Sequence, residues 1–598
     1  MSTQVQMRRD TSSNIAAATG AAGELWVDTD KNVVVVNDGV TPGGHEMARK
    51  SDTTVASFLG GTAVYSVGEF VYAGQHLYEV ASGAASDNDV VNAGGTKFYV
   101  VRGPNGYDVT AFGAVGDGAT DDTTPIQKAI NKAATDRTLR VYFPSAHYVV
   151  TAIYDHYNAS NNPGFPAGNF YNGRVSLIGE KATDLPQLQN LVSGYSGALI
   201  ETTSATGPAL LCGNGSPADA TTSRRTHIMG LAFMGTCSGS VVELDGATQH
   251  LEFGNCTVLN KGTGKGVYSQ EGLYTSRLFD LHISSSGTNG NGLVIEEASL
   301  CDFSLINVTD CGGTAAIVGQ ASTGDDNTGF GQEIKFDNCQ FRDSENGLEV
   351  RGGFGVVLDT CWFEQNTGDY DVKVHENACA FSMRNCKLVS TTLSIGSAII
   401  GGNSGTSYND AVRQVTISDT AFNFCGPTSA QAGIVKYGSC TDLTVINCSF
   451  KNNSGRALII DTTAGVTPTI LTNPDFDPPG ASAAIGNGSK VVDQAGAQSS
   501  HLVRGSDHVH TITADLNMSA WLHLPDRLNV DSTSDVNVTL PSNVDALAGK
   551  TISLRKTLAS NTLTVTANIA GASSIAVTAD ESVTTLIAHD DTLYGQLS

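Results

Sequence analysis

The chain has 598 residues, of which 40% are hydrophobic and 16% charged, with 66 glycines; it is too apolar to be disordered and its glycines are too aperiodic for collagen. With 34 basic against 59 acidic residues, the net charge of −25 repels phosphate backbones and anionic membranes, which argues against a nucleic-acid partner. The longest apolar stretches, 33–36 and 457–460, are far too short for a membrane span, and the opening MSTQVQMRRD lacks the apolar segment of a secretory signal, so no membrane insertion is expected.

By ordinary domain size this length gives about four units, unless an elongated repeat occupies much of it. Residues 1–50 (QVQMRRD, GELWVDTD, VNDG) form the first expected module. This stretch resembles the short N-terminal module of phage tropism and tail-fibre proteins, which implies attachment to a phage tail or baseplate protein through 1–50. Residues 51–106 form the second module, with alternating apolar and polar positions and Tyr65, Phe70, Tyr72, Tyr78, Phe98 and Tyr99. They resemble small aromatic carbohydrate-binding modules, but a β-rich adaptor with an aromatic core is favoured, because aromatic side chains are usually buried.

Next comes FGAVGDGATDDTTPIQKAINKAA, then VYFPSAHYVV. Asp121, Asp122, Thr123 and Thr124 offer capping oxygens, Pro125 suits a first helical turn, and Ile126, Ala129, Ile130 and Ala133 make one apolar stripe. After that, one dipeptide recurs as Asn255-Cys256, Asn338-Cys339, Asn385-Cys386 and Asn447-Cys448, inside segments such as FDNCQF, LDTCWF, MRNCKL and VINCSF. The shared turn position falls at 230, 255, 280, 307, 338, 360, 385, 419 and 447. A variable spacing in the twenties, carried by short alternating runs, excludes helical repeats and predicts a parallel β-helix over 107–496. Successive coils then stack about 4.8 Å apart. The residue after each turn (Leu231, Cys256, Leu281, Val308, Cys339, Cys361, Cys386, Thr420, Cys448) should form an interior column, where cysteine acts as a compact hydrophobe. No cofactor and no metal site are expected.

The GDGATDD opening with its helix and strand closely resembles the start of pectate-lyase-like right-handed β-helix proteins, especially tailed-phage tailspikes and capsule depolymerases. The resemblance covers 107 to about 480. It implies a structural role for Asp117, Asp121 and Asp122, a homotrimer, and a place on the virion tail acting at the outer surface of a host bacterium. Residues 497–598, rich in Thr and Val in alternation, are expected to form a C-terminal β-domain for trimerisation or receptor binding. The His508/His510 pair alone does not define a metal site.

Alternation also predicts what the tube shows to solvent. With Phe336, Cys339 and Phe341 inward, Asp337, Gln340 and Arg342 face out. Asp359, Trp362 and Glu364 follow one coil up and Arg384 and Lys387 in the next, with His282 two coils below Gln340. An outward indole beside acids suits a sugar ring and proton transfer to a glycosidic oxygen. The catalytic candidates are Glu364, Asp359 and Asp337, with Asp343 and Glu345 in reserve. Trp362, Arg342, Gln340, Arg384, Lys387 and His282 are the substrate-binding candidates. Asp337 and Asp359, vertical neighbours, should repel and raise one pKa, while Arg342 beneath Glu364 should keep that carboxylate ionised. Hydrolysis of a bacterial surface polysaccharide is the favoured reading. The alternatives are a lyase using His282, Lys387 or Arg384, and a spike that grips glycan without cutting it. Glu349, Arg351, Asp371 and Lys373 look like a solvated charge ladder on another strand.

Overall fold

The computed structural model describes residues 8–155, 175–180, 197–212, 226–319, 332–401, 412–423 and 432–451 apart from a few positions within them, and mainly strand backbone thereafter. Two compact units divide the chain at Gly235/Thr236.

In the first unit, four short strands between Arg8 and Glu46 form one sheet around Ile15, Trp26 and Val35. Five strands between Arg49 and Val100 make a second. Its core is aromatic: Phe58 lies 4.8 Å from both Tyr78 and Phe98, ring centre to ring centre, and Tyr65 lies 5.6 Å from Phe98. Tyr78 and Phe98 are fully buried, so these rings hold a fold rather than form a platform for sugars. Phe70, by contrast, is exposed.

The acidic turn that follows is structural. Asp117 accepts from the backbone N–H groups of Thr120 (2.7 Å) and Ala119 (2.9 Å), which lower its pKa. Asp121 accepts from the Thr123 N–H (2.9 Å), capping the helix Thr123–Thr135. Asp122 is buried and turns back to accept from the Val115 and Gly116 N–H groups at 2.7 and 3.0 Å. Ile126, Ala129, Ile130 and Ala133 are completely buried, as the stripe requires. Behind the helix the first coils stack in parallel, Arg140–Phe143 on Ser176–Gly179 and Ala146–Val150 on Ala198–Thr202.

The second unit repeats this stacking from Leu251 onward, in parallel register throughout its coils. At each shared turn one residue takes a left-handed conformation: Asn255, Asp280, Leu305, Asn338, Thr360, Asn385, Asp419 and Asn447 have φ between 48° and 56°. Asn and Asp tolerate that region best among residues with a side chain. Where the residue after the turn is Cys or Thr, its side chain donates to the carbonyl that precedes the turn. Cys339 and Cys361 Sγ approach the carbonyls of Asp337 and Asp359 at 3.5 Å, Cys386 that of Arg384 at 3.2 Å, and Cys448 that of Ile446 at 3.4 Å. Thr420 does the same with its hydroxyl, donating to Ser418 at 2.8 Å. A thiol is a weak donor that is cheap to bury, which explains the Asn-Cys dipeptide physically.

One coil departs from the expected column. Its turn residue is Leu305, not position 307, and the interior residue is Ile306, opposite Leu281. Val308 belongs to the next inward column, opposite Phe341. That inward column is aromatic, with Phe341 and Phe363 stacked at 5.1 Å. All described cysteines are free and, apart from the half-buried Cys379, buried; burial pushes the Cys311 and Cys448 thiols up to about 12, which makes those two inert. Strands between Val509 and Leu597 form a nine-stranded sheet, and the His508/His510 side chains lie outside the described residues. Among the described residues no helix is long and apolar enough to cross a membrane.

Candidate functional site

Three columns run along the coils between His282 and Val389. The first runs Ser304, Asp337, Asp359, Arg384. The second, beyond the turn, runs His282, Asn307, Gln340, Trp362, Lys387. The third runs Thr309, Arg342, Glu364, Val389. The register therefore brings the candidate residues together as expected, with His282 two coils below Gln340.

Trp362 is 39% exposed, a high value for an indole. One of its faces is taken: Lys387 Nζ lies 4.5 Å from the ring centroid, a cation–π contact worth about 0.5–1 kcal/mol at an exposed position. A sugar ring on that face must displace an ammonium held loosely enough to move.

The acids are arranged differently from the expectation of mutual repulsion. Asp359 Oδ2 accepts from Arg384 Nη2 at 2.8 Å and Oδ1 from Asn385 Nδ2 at 3.2 Å. Slight burial opposes ionisation of Asp359, but the hydrogen bonds from Arg384 and Asn385 outweigh it and lower the pKa. Asp337 has its own cation, Lys335 Nζ at 3.5 Å. A cation two residues along the strand or one coil above thus reaches each carboxylate. Arg342 forms its ion pair with Asp343, at 3.7 Å, rather than with Glu364 above it. Glu364 is half-buried beside Trp362. Asp343 occupies a left-handed corner and also accepts from Thr309 Oγ1 at 3.5 Å; Glu345 is exposed in the adjoining turn.

The supposed charge ladder on the other strand has both of its acids buried. Glu349 is buried and accepts from Arg351 Nη2 (2.9 Å) and His375 Nε2. Burial opposes its charge, yet the hydrogen bonds from His375 and Arg351 prevail and bring its pKa down to about 2. Asp371 is wholly buried, with Oδ1 accepting from Asn366 Nδ2 at 2.8 Å and Ser390 Oγ at 2.5 Å. Burial pushes its pKa up to about 6. Period-two alternation failed here because Asp371 and Val372 are both buried at the start of the strand. His375, 26 residues from Glu349, carried no local signal.

Residues 5–41 match the model of the major tropism determinant N-terminal domain, 107–180 that of rhamnogalacturonase A/epimerase, pectate lyase-like, and 291–473 that of the right-handed β-helix region. Over 106 residues the chain is 38% identical to the tail fiber receptor-binding protein of Bordetella phage BPP-1, which covers 16% of this chain and 28% of that protein's length. These matches give a tropism-determinant-like N-terminal segment followed by pectate-lyase-like, right-handed β-helix segments, and the chain spans about a quarter of the length of the curated relative it matches. Among solved structures, the chain is similar to the tailspike of Acinetobacter phage vb_AbaP_AS12 (12% identity, TM-score 0.47, covering 92% of this chain and 94% of that one). It is also similar to the Agl-KA catalytic domain (12% identity, TM-score 0.48, covering 67% and 71%).

Proposed function

We propose that this chain binds and depolymerises a bacterial surface polysaccharide (capsule, exopolysaccharide or O-antigen) by carboxylate-assisted glycosidic hydrolysis, on the face that carries Trp362. It does so as a homotrimer joined to the tail or baseplate through residues 1–50. The observation that carries the reading is the juxtaposition of an exposed indole with acids in the columns on either side of it, Asp359 and Glu364.

The chemistry needs one carboxyl that holds a proton and one that stays charged. Asp359, held ionised by Arg384 and Asn385, suits the base or nucleophile. Glu364, half-buried beside Trp362 with its neighbour Arg342 turned to Asp343, is the second carboxyl of the pair. Asp337 with Lys335 contributes field and hydroxyl contacts. Trp362 supplies the apolar platform, while Gln340, Lys387 and His282 extend the surface along the stack.

Purified protein incubated with host capsule distinguishes the readings. New reducing ends without unsaturated product mean hydrolysis, and their loss in Glu364→Gln with binding retained supports the site. Unsaturated uronate ends mean elimination, the chemistry that Arg384 and Lys387 would serve. A second reading, receptor binding without cleavage, is favoured by the ion pairs that already engage Asp337 and Asp359; glycan binding with no new ends of either kind would select it. Mass measurement in solution tests the trimer.

A further inference from the structure

Glu349 lies on the strand Asn346–Val350, opposite Lys373 on Tyr370–Val374. Arg351 and His375 follow the ends of these two strands. Their N–H groups donate to the carbonyls of Val318 and Val350, at 2.7 and 2.8 Å, which fixes the backbone one coil apart. Both side chains turn onto the Glu349 carboxylate. The Glu349 side chain is only 9% exposed, whereas those of Arg351 and His375 are 33% and 30% exposed. The carboxylate is therefore a floor, and the cations form its rim.

Among the described residues the other groups on this face are few. Lys373 Nζ lies 5.6 Å from the Tyr370 ring centroid. Burial, with Glu349 next, holds the Tyr370 phenol well above its usual range, so it stays neutral. Asp369, exposed, is hydrogen-bonded to Ser394. One buried carboxylate thus stands beside two permanent cations and an imidazole, on a chain of net charge −25. Among the described residues Arg351 gives one N–H to Glu349, and a guanidinium has the planar shape that matches a second carboxylate in two parallel hydrogen bonds. Holding Arg351 and His375 in place beforehand lowers the entropy that a ligand would otherwise have to overcome.

We propose that this rim is a second glycan-contacting site, which takes the carboxylate of a hexuronate residue on Arg351, Lys373 and His375, with Glu349 as the positioning residue. It rests on the reading of this protein as a polysaccharide binder, but not on where or whether the polymer is cut. Through it the protein would discriminate acidic from neutral polysaccharides at a place separate from the Trp362 face.

The test uses the full chain and tetramers of galacturonate, glucuronate, mannuronate and guluronate, each with its methyl ester, in titration calorimetry. At least one acid should bind about tenfold more tightly than its ester, the cost of losing a charge-assisted bidentate pair. Lys373→Gln should weaken that acid several-fold, and Arg351→Gln more so, while Trp362→Ala leaves the acid-to-ester ratio unchanged. Lys373 makes no hydrogen bond to Glu349, so its variant keeps the test valid if Arg351→Gln disturbs the fold. Equal binding of acid and ester, no binding by any of the four, or a preference lost in Trp362→Ala instead of Lys373→Gln overturns the proposal. Cleavage by Glu364→Gln is scored separately, so failure of the hydrolytic reading remains distinguishable.

Discussion

Asp371→Asn should stabilise the β-helix at neutral pH. The carboxyl is completely buried, and burial moves its pKa from 3.8 to about 6. Between those values the folded chain keeps a proton that the unfolded chain has released. Stability therefore falls as pH rises through that window and stays low above it. A shift of about two units corresponds to about 3 kcal/mol. The amide keeps an acceptor for Asn366 and Ser390 and offers a donor toward Ser397, whose hydroxyl lies beside this carboxyl. Urea unfolding followed by circular dichroism at about pH 4 and about pH 7.5 measures the effect. The variant should gain about 2–3 kcal/mol on wild type at the higher pH and little at the lower. Parallel profiles, or a variant less stable at neutral pH, would refute the assignment of a buried, costly charge.

Glu349→Gln should do the reverse. A pKa depressed to about 2 contributes stability above pH 4.5 that is lost as pH falls toward 2, so the variant should lose about 3 kcal/mol at neutral pH, with acid unfolding as the check. Leu305→Asn should add about 1 kcal/mol, because an exposed leucine holds a left-handed corner with φ 55° that asparagine adopts at lower cost; thermal unfolding with no gain would mean the corner is unstrained. Arg384→Gln removes the cation that depresses Asp359; the acidic limb of the pH–rate profile should move to higher pH, and an unmoved limb removes Asp359 from the base role.

The stack was legible because its most constrained position is chemically narrow. A left-handed corner wants Asn or Asp, and the next residue wants a small donor for an inward carbonyl, so Asn-Cys marks the coil at 338–339, 385–386 and 447–448. The corner at Leu305 carries neither preference, and the sequence reading slipped there by two residues. Grouping Trp362 with Asp359 and Glu364 needed only register and alternation. The electrostatics were not legible in that way, because Lys335 and Arg384 are long enough to cross between rows and settle on Asp337 and Asp359. Asp371 was misplaced because three consecutive residues of its strand, Tyr370, Asp371 and Val372, are buried, and alternation has no means of signalling such a break.

The most direct measurement is a cryo-electron microscopy map of the Glu364→Gln protein with a fragment of the host polysaccharide bound. Sugar density lying along Gln340, Trp362 and Lys387, with a glycosidic oxygen within hydrogen-bond reach of residue 364, is the expected result. Density that leaves this face bare while occupying another part of the chain would contradict it.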